Sequence, residues 1–253
     1  VLRLRSGDAL TVFNGSGGEF AACIEDIQKD TVALSVQERR PFDRESPLPL
    51  TLAQGISRGE RMDWVVQKAT ELGTTRIVPV FTKRSVVRLD EKQAGRKLQH
   101  WRAIAVAACE QCGRNRIPEL AEPLDFYELL ASANSAVTAS GHLGTAGAAS
   151  AGSATHPSSE RAMRARSNPT ASVDAGAVRI LLTPSGDTRL DDLEGVGAGI
   201  VVLIGPEGGL EDIEQEAALA AGYKAVRMGP RVLRTETAAI AALTIIQHHF
   251  GDL

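Results

Sequence analysis

The 253-residue chain has only three cysteines, Cys23, Cys109 and Cys112. Three is too few, and an odd number, for a disulfide framework, so a reducing, cytoplasmic setting is expected. Long apolar runs are missing too. The longest are stretches such as AAIAAL at 238–243, far short of the roughly 20 residues a membrane-spanning helix needs. No membrane partner is expected. No basic-then-apolar leader opens the chain, which predicts no secretory signal. It starts at Val1 inside what reads as a strand, so a few native residues are expected before it. Cys109-x-x-Cys112 has the spacing of half a zinc site, but one other cysteine and five scattered histidines supply no second half. No metal is expected, and the pair lies inside a helical pattern that argues against a redox role. There is no serine or cysteine nucleophile elbow and no convincing pair of carboxylates.

What is present is unevenly distributed. Net charge is −3 overall, yet residues 1–118 carry 19 Lys+Arg against 14 Asp+Glu, while 119–253 carry 9 against 17. A half at +5 beside a half at −8 points to a polyanion partner for the basic half. Short strands at 9–13, 19–27 and 31–36, the first meeting an Asn14-Gly15 hairpin signal, predict a small antiparallel barrel or curled sheet. Arg3 and Arg5 share one face of its first strand. A proline-rich linker (PFDRESPLPL, 41–50) follows, and then the pattern changes. Strands at 48–54, 76–81, 178–183, 199–204 and 225–228 alternate with helices at 61–72, 91–112, 210–221 and 236–250, the alternation of an α/β fold with a parallel sheet. Between them, residues 131–177 are rich in Ala, Ser, Gly and Thr and nearly empty of large apolar side chains. They read as a flexible insertion that cannot offset its ordering entropy, with 133–139 as a candidate strand.

Three of the strands end in special turns: TPSG at 183–186, GPEGG at 205–209 and MGPRVLR at 228–234. In a parallel sheet these turns share one edge, beyond the strand carboxyl ends, where ligands bind in open α/β folds. GPEGG is not a Walker A loop, because no Lys-Ser/Thr follows, and Glu207 breaks the dinucleotide pattern G-x-G-x-x-G. A glycine-rich strand-to-helix turn serves either tight packing or a ligand. Thr235 is a natural N-cap and Glu236 suits the helix dipole. Arg231 and Arg234, by contrast, are unfavourable before a helix N-terminus unless something bound there uses them. Lys68 and Glu71 have the spacing of an i, i+3 pair.

In this order, VLRLRSGD (1–8), QKATELG (67–73), EQCGR (110–114), Ile117-Pro118, GPEGG and LRTETA (233–238) resemble the RsmE-type 16S ribosomal RNA (uracil-N3)-methyltransferases of the SPOUT superfamily. The resemblance covers nearly the whole chain outside the insertion; position 112 is usually serine in that family. It implies a PUA-like β-barrel at 1–46, then a SPOUT α/β domain at 47–253 with a C-terminal trefoil knot and an insertion at about 132–177. It also implies a homodimer with S-adenosylmethionine held in the knot, methylating N3 of a uridine in 16S rRNA of the assembled small subunit.

The cofactor residues implied are Thr183, Pro184, Ile204, Gly205, Glu207, Gly208, Gly209, Met228, Gly229, Val232 and Leu233. The glycines let the main chain fold tightly against the cofactor, and Ile204, Met228 and Leu233 flank the adenine. Arg234 is the expected catalytic cation, lowering the proton affinity of the uracil. Glu236 is a candidate proton acceptor, with water or hydroxide left open. Arg3, Arg5, Arg114 and Arg116 are the expected RNA contacts. The rival readings are a non-catalytic RNA-binding or ribosome-assembly protein on the same fold, and a nicotinamide oxidoreductase, which lacks its fingerprint here.

Overall fold

The computed structural model of the chain describes residues 4–85, 90–139 and 176–253. Arg3 and most of the expected insertion, from 140 to 175, lie outside the described residues. At the N-terminus, β1 (Ala9–Val12), β2 (Glu19–Ile27) and β3 (Val32–Arg40) pair antiparallel in that order. Register shifts in the β2–β3 ladder, at Phe20/Ala22 and Ile24/Asp26, mark bulges. Such bulges sharpen twist and curl a small sheet.

The larger unit has a parallel sheet flanked by helices. Its strands are β4 (Leu50–Gly55), β5 (Arg76–Phe81), β6 (Glu119–Leu120), β7 (Leu124–Asp125), β8 (Val178–Leu182), β9 (Thr188–Arg189), β10 (Ile200–Ile204) and β11 (Lys224–Arg227). They run in the order β6-β5-β4-β10-β8-β11-β9, with β7 also paired to β5. All five residues of β10 are buried, as a central parallel strand covered on both faces requires. Alternate side chains face opposite layers. Ile200, Val202 and Ile204 join a core with Met62 and Val65 of α1 (Glu60–Glu71), Trp101 of α2 (Glu91–Cys112) and Leu243 of α5 (Thr235–Phe250). Val201 and Leu203 join a second core with Leu129 of α3 (Phe126–Ala139) and Ala218 of α4 (Asp212–Ala220).

The last third of the chain is threaded. From β8 the chain runs past β11 to the sheet edge at β9, packs its Leu190–Asp192 turn on α5, and returns to start β10 beside β8. β11 forms later in the sequence yet lies between β8 and β9, across the path of the connection that joins β8 to β10. A later strand seated between two earlier ones fits the trefoil knot expected of this region, a departure from the usual unthreaded connections. Two local expectations are corrected. Residues 133–139 continue α3 as helix rather than forming a strand, in keeping with an alanine-rich stretch whose apolar turn begins at Phe126. Thr235 is the first residue of α5 and not its N-cap, which is Arg234 with extended backbone and no side-chain cap bond.

Candidate functional site

The three turns that follow β8, β10 and β11 meet at one sheet edge, as their position after parallel neighbours demands. Between them lies a cleft of about 320 Å³. Its wall includes all eleven of the residues singled out as cofactor contacts: Thr183, Pro184, Ile204, Gly205, Glu207, Gly208, Gly209, Met228, Gly229, Val232 and Leu233. It also includes Gln215, Thr235 and Ala238, which sequence reasoning did not assign to it, and Arg231, which it read as serving something bound before α5. Thr235 and Ala238 have a legible signal in retrospect, an i, i+3 pair opening α5. Gln215 had none, because it comes from the far end of a helical turn on α4.

Local geometry explains the glycines. A Cβ on Gly205 would lie 3.0 Å from both the Gly209 carbonyl carbon and the Leu210 nitrogen, so the loop folds on itself there. Gly209 has φ +69°, where a side chain is strained. The first reason for these residues is thus the tight loop itself. The two knot turns are also tied to each other. Thr235 Oγ1 donates to the Gly205 carbonyl at 2.7 Å and accepts from Gln54 Nε2 at 2.9 Å, binding the start of α5 to the 205–209 loop. Arg84 donates to the Gly208 carbonyl at 2.9 Å from the other side. Buried Glu214 of α4 accepts from the Lys83 and Glu211 backbones, at 2.8 and 2.9 Å.

Glu207 is the second tether. Its Oε1 accepts from the Arg58 N–H at 2.9 Å and from Arg61 at 2.8 Å. Partial burial opposes its ionisation, but those hydrogen bonds, together with one from its own backbone, outweigh it and hold the carboxyl below the usual range. The same Arg61 reaches Glu236 at 3.8 Å. One guanidinium therefore links the start of α1, the glycine loop and the first turn of α5.

The catalytic candidates stand beside the cleft and not in its wall. Neither Arg234 nor Glu236 lines the cleft, although their neighbours Leu233 and Thr235 do. Arg234 is exposed at the cap of α5. Glu236 faces Arg61 at the start of α1, because successive residues of a helix turn point about 100° apart. Of the RNA candidates, Arg5 is exposed, but it lies in the turn that precedes β1, closed by hydrogen bonds with Asp8, and not on the first strand as expected. Arg116 is half exposed, 3.3 Å from Asp43, and bridges the N-terminal unit through Ser16.

Arg114 is a correction. Its side chain is 4% exposed, paired with Glu45 and donating to the carbonyls of Thr70 and Thr74 at 2.6 and 3.1 Å. All three guanidinium nitrogens donate inside the protein, and the buried side chain is not presented to RNA. Lys68 and Glu71 form the expected surface pair at 2.8 Å. Cys109 and Cys112 are free, and burial pushes the Cys109 thiol up to about 11 despite the opposing charge of Arg114. Among the described residues no three His, Cys, Asp or Glu side chains cluster as metal ligands, and no helix is long and apolar enough to cross a membrane.

A family model described as an RNA methyltransferase domain matches residues 44–145 and 145–247. A second, an RNA methyltransferase PUA domain, matches residues 1–37. The chain belongs to the RNA methyltransferase family. Within this family it is similar to ribosomal RNA small subunit methyltransferase E of Buchnera aphidicola, 31% identical over 253 residues, which cover 100% of this chain and 87% of the relative. The Bacillus subtilis protein of the same name is 30% identical, covering 98% and 84%. Among solved structures, the Neisseria gonorrhoeae methyltransferase E bound to S-adenosyl methionine has TM-score 0.77 at 31% identity, covering 99% of this chain and 87% of that one. A Legionella pneumophila protein solved with bound SAM has TM-score 0.79 at 35% identity, with the same coverage.

Proposed function

We propose that this member of the family uses S-adenosylmethionine to methylate N3 of a uridine in 16S rRNA of the small ribosomal subunit, acting in the cytoplasm as a homodimer. The observation that carries the reading is the cleft enclosed by the three knot turns. Its residues fit the cofactor. Ile204, Met228 and Leu233 offer apolar surface for a purine, while glycine-rich main chain and the Thr183 hydroxyl offer polar contacts to its edges. Bound there, S-adenosylmethionine supplies an electrophilic methyl group on a sulfonium.

The chain's own residues then have two tasks. The tethers from Thr235, Arg84 and Glu207 hold the loops in one arrangement, so that bound groups meet in line, which is where most of the rate is gained. A cation beside the base must also favour loss of the N3 proton, because the neutral imide nitrogen is a poor nucleophile. Glu236 serves the first task by fixing the opening turn of α5 through Arg61. Arg234, exposed at the cap of α5, presents charge to approaching RNA, together with Arg5 and Arg116. Residues 1–46 form the RNA-docking unit of this reading and 47–253 the catalytic one.

Calorimetric titration of S-adenosylmethionine, with NADH as control, tests the cofactor on the protein and on Leu233→Trp, which fills the cleft. Stoichiometric binding lost in the variant, with N3-methyluridine formed on small subunits, is the expected result. RNA binding without cofactor binding would favour the non-catalytic rival, and light scattering reads the dimer.

A further inference from the structure

The charge inventory of the cleft narrows which residue meets the base; the inference rests on the methyltransferase reading above. Two charged side chains line the cleft among the described residues, Glu207 and Arg231. The Glu207 carboxylate is already met by Arg58 and Arg61. Arg231 is exposed and makes no side-chain hydrogen bond or ion pair among the described residues. The one uncompensated charge on the cleft wall is therefore positive. The cofactor does not explain it, since a sulfonium and an ammonium against one carboxylate leave that ligand net positive. A negative substrate does.

We propose that Arg231 is a catalytic residue that sets its guanidinium against a carbonyl of the target uracil and stabilises the imide anion. In that step the N3–H bond breaks, the proton passes to water or hydroxide, and the electron pair stays on the ring, shared between N3 and the two flanking carbonyl oxygens. A planar guanidinium donates to such an oxygen directionally and stays charged at every working pH. Hydrogen bonding to the charged form lowers its proton affinity. Arg234, three residues on, is not part of the cleft wall.

The test is single-turnover methyl transfer to unmodified small ribosomal subunits at saturating cofactor, from mildly acidic to alkaline pH. It compares the wild type with Arg231→Ala, Arg231→Lys and Arg234→Ala, alongside calorimetry with S-adenosylmethionine. Arg231→Ala is expected to lose roughly 100-fold in rate at neutral pH, the usual size of such a contribution. The deficit should shrink as alkali ionises the base unaided, lysine should recover part of it, and cofactor affinity should stay within about twofold. A deficit equal at every pH would overturn the proposal. So would a loss confined to cofactor affinity, a loss confined to subunit KM, or the same pH-dependent loss in Arg234→Ala instead. A wild type that neither binds the cofactor nor modifies subunits would defeat the underlying reading, a separate and distinguishable failure.

Discussion

Replacing Arg114 by alanine is the sharpest test of how its neighbourhood is built. In the folded protein Arg114 is 4% exposed and its Glu45 partner 13% exposed. Removing the guanidinium leaves a largely buried carboxylate without its counter-charge and takes a donor from the carbonyls of Thr70 and Thr74. Breaking one side of a buried pair costs about 3–5 kcal/mol. In a domain of 150–250 residues each kcal/mol moves Tm by roughly 2–4 °C, so a fall of about 6–20 °C is expected. Scanning calorimetry reads it directly. An Arg114→Met, Glu45→Leu double variant should regain much of the loss, because two apolar side chains replace the pair without an orphaned charge. RNA affinity of Arg114→Ala at low temperature should match the wild type. A Tm within a degree or two of the wild type, combined with weakened RNA binding, would refute the burial argument and restore Arg114 as an RNA contact.

Glu207→Gln keeps the shape of the loop tether and removes its charge. Because the folded carboxyl titrates below its unfolded value, its stabilisation is complete above the ordinary carboxylate range and fades as pH falls through the depressed folded pKa. The Tm gap between wild type and variant should close toward acid, and a gap constant with pH would contradict this. With its thiol at about 11, Cys109 should stay unlabelled by alkylating reagents at mildly alkaline pH until the protein unfolds, while the less buried Cys23 and Cys112 react first. Labelling of all three at similar rates in the folded state would contradict the placement of Cys109.

Local pattern determined much of this protein. The apolar runs that end in glycine turns marked β8 and β10 and put their loops on one edge, because parallel strands share a direction. The boundaries of α2 follow from its Asp90 capping box and the left-handed Gly113. The wall of the cleft was legible for the same reason: its residues are the turns themselves, contiguous in sequence. The insertion boundary was less so, since an alanine-rich stretch is compatible with both coil and the helix that α3 continues. Only the tertiary structure decided what each arginine does. Arg114, Arg116, Arg231 and Arg234 look alike in sequence, yet one is buried in an ion pair, one bridges the N-terminal unit, one lines the cleft and one caps a helix. The Arg61–Glu207 contact joins residues 146 apart. The seating of β11 between β8 and β9 is likewise invisible to periodicity. Hydrophobic spacing reports which face of an element is buried, but a charge reveals its partner only when the fold brings the two into one volume.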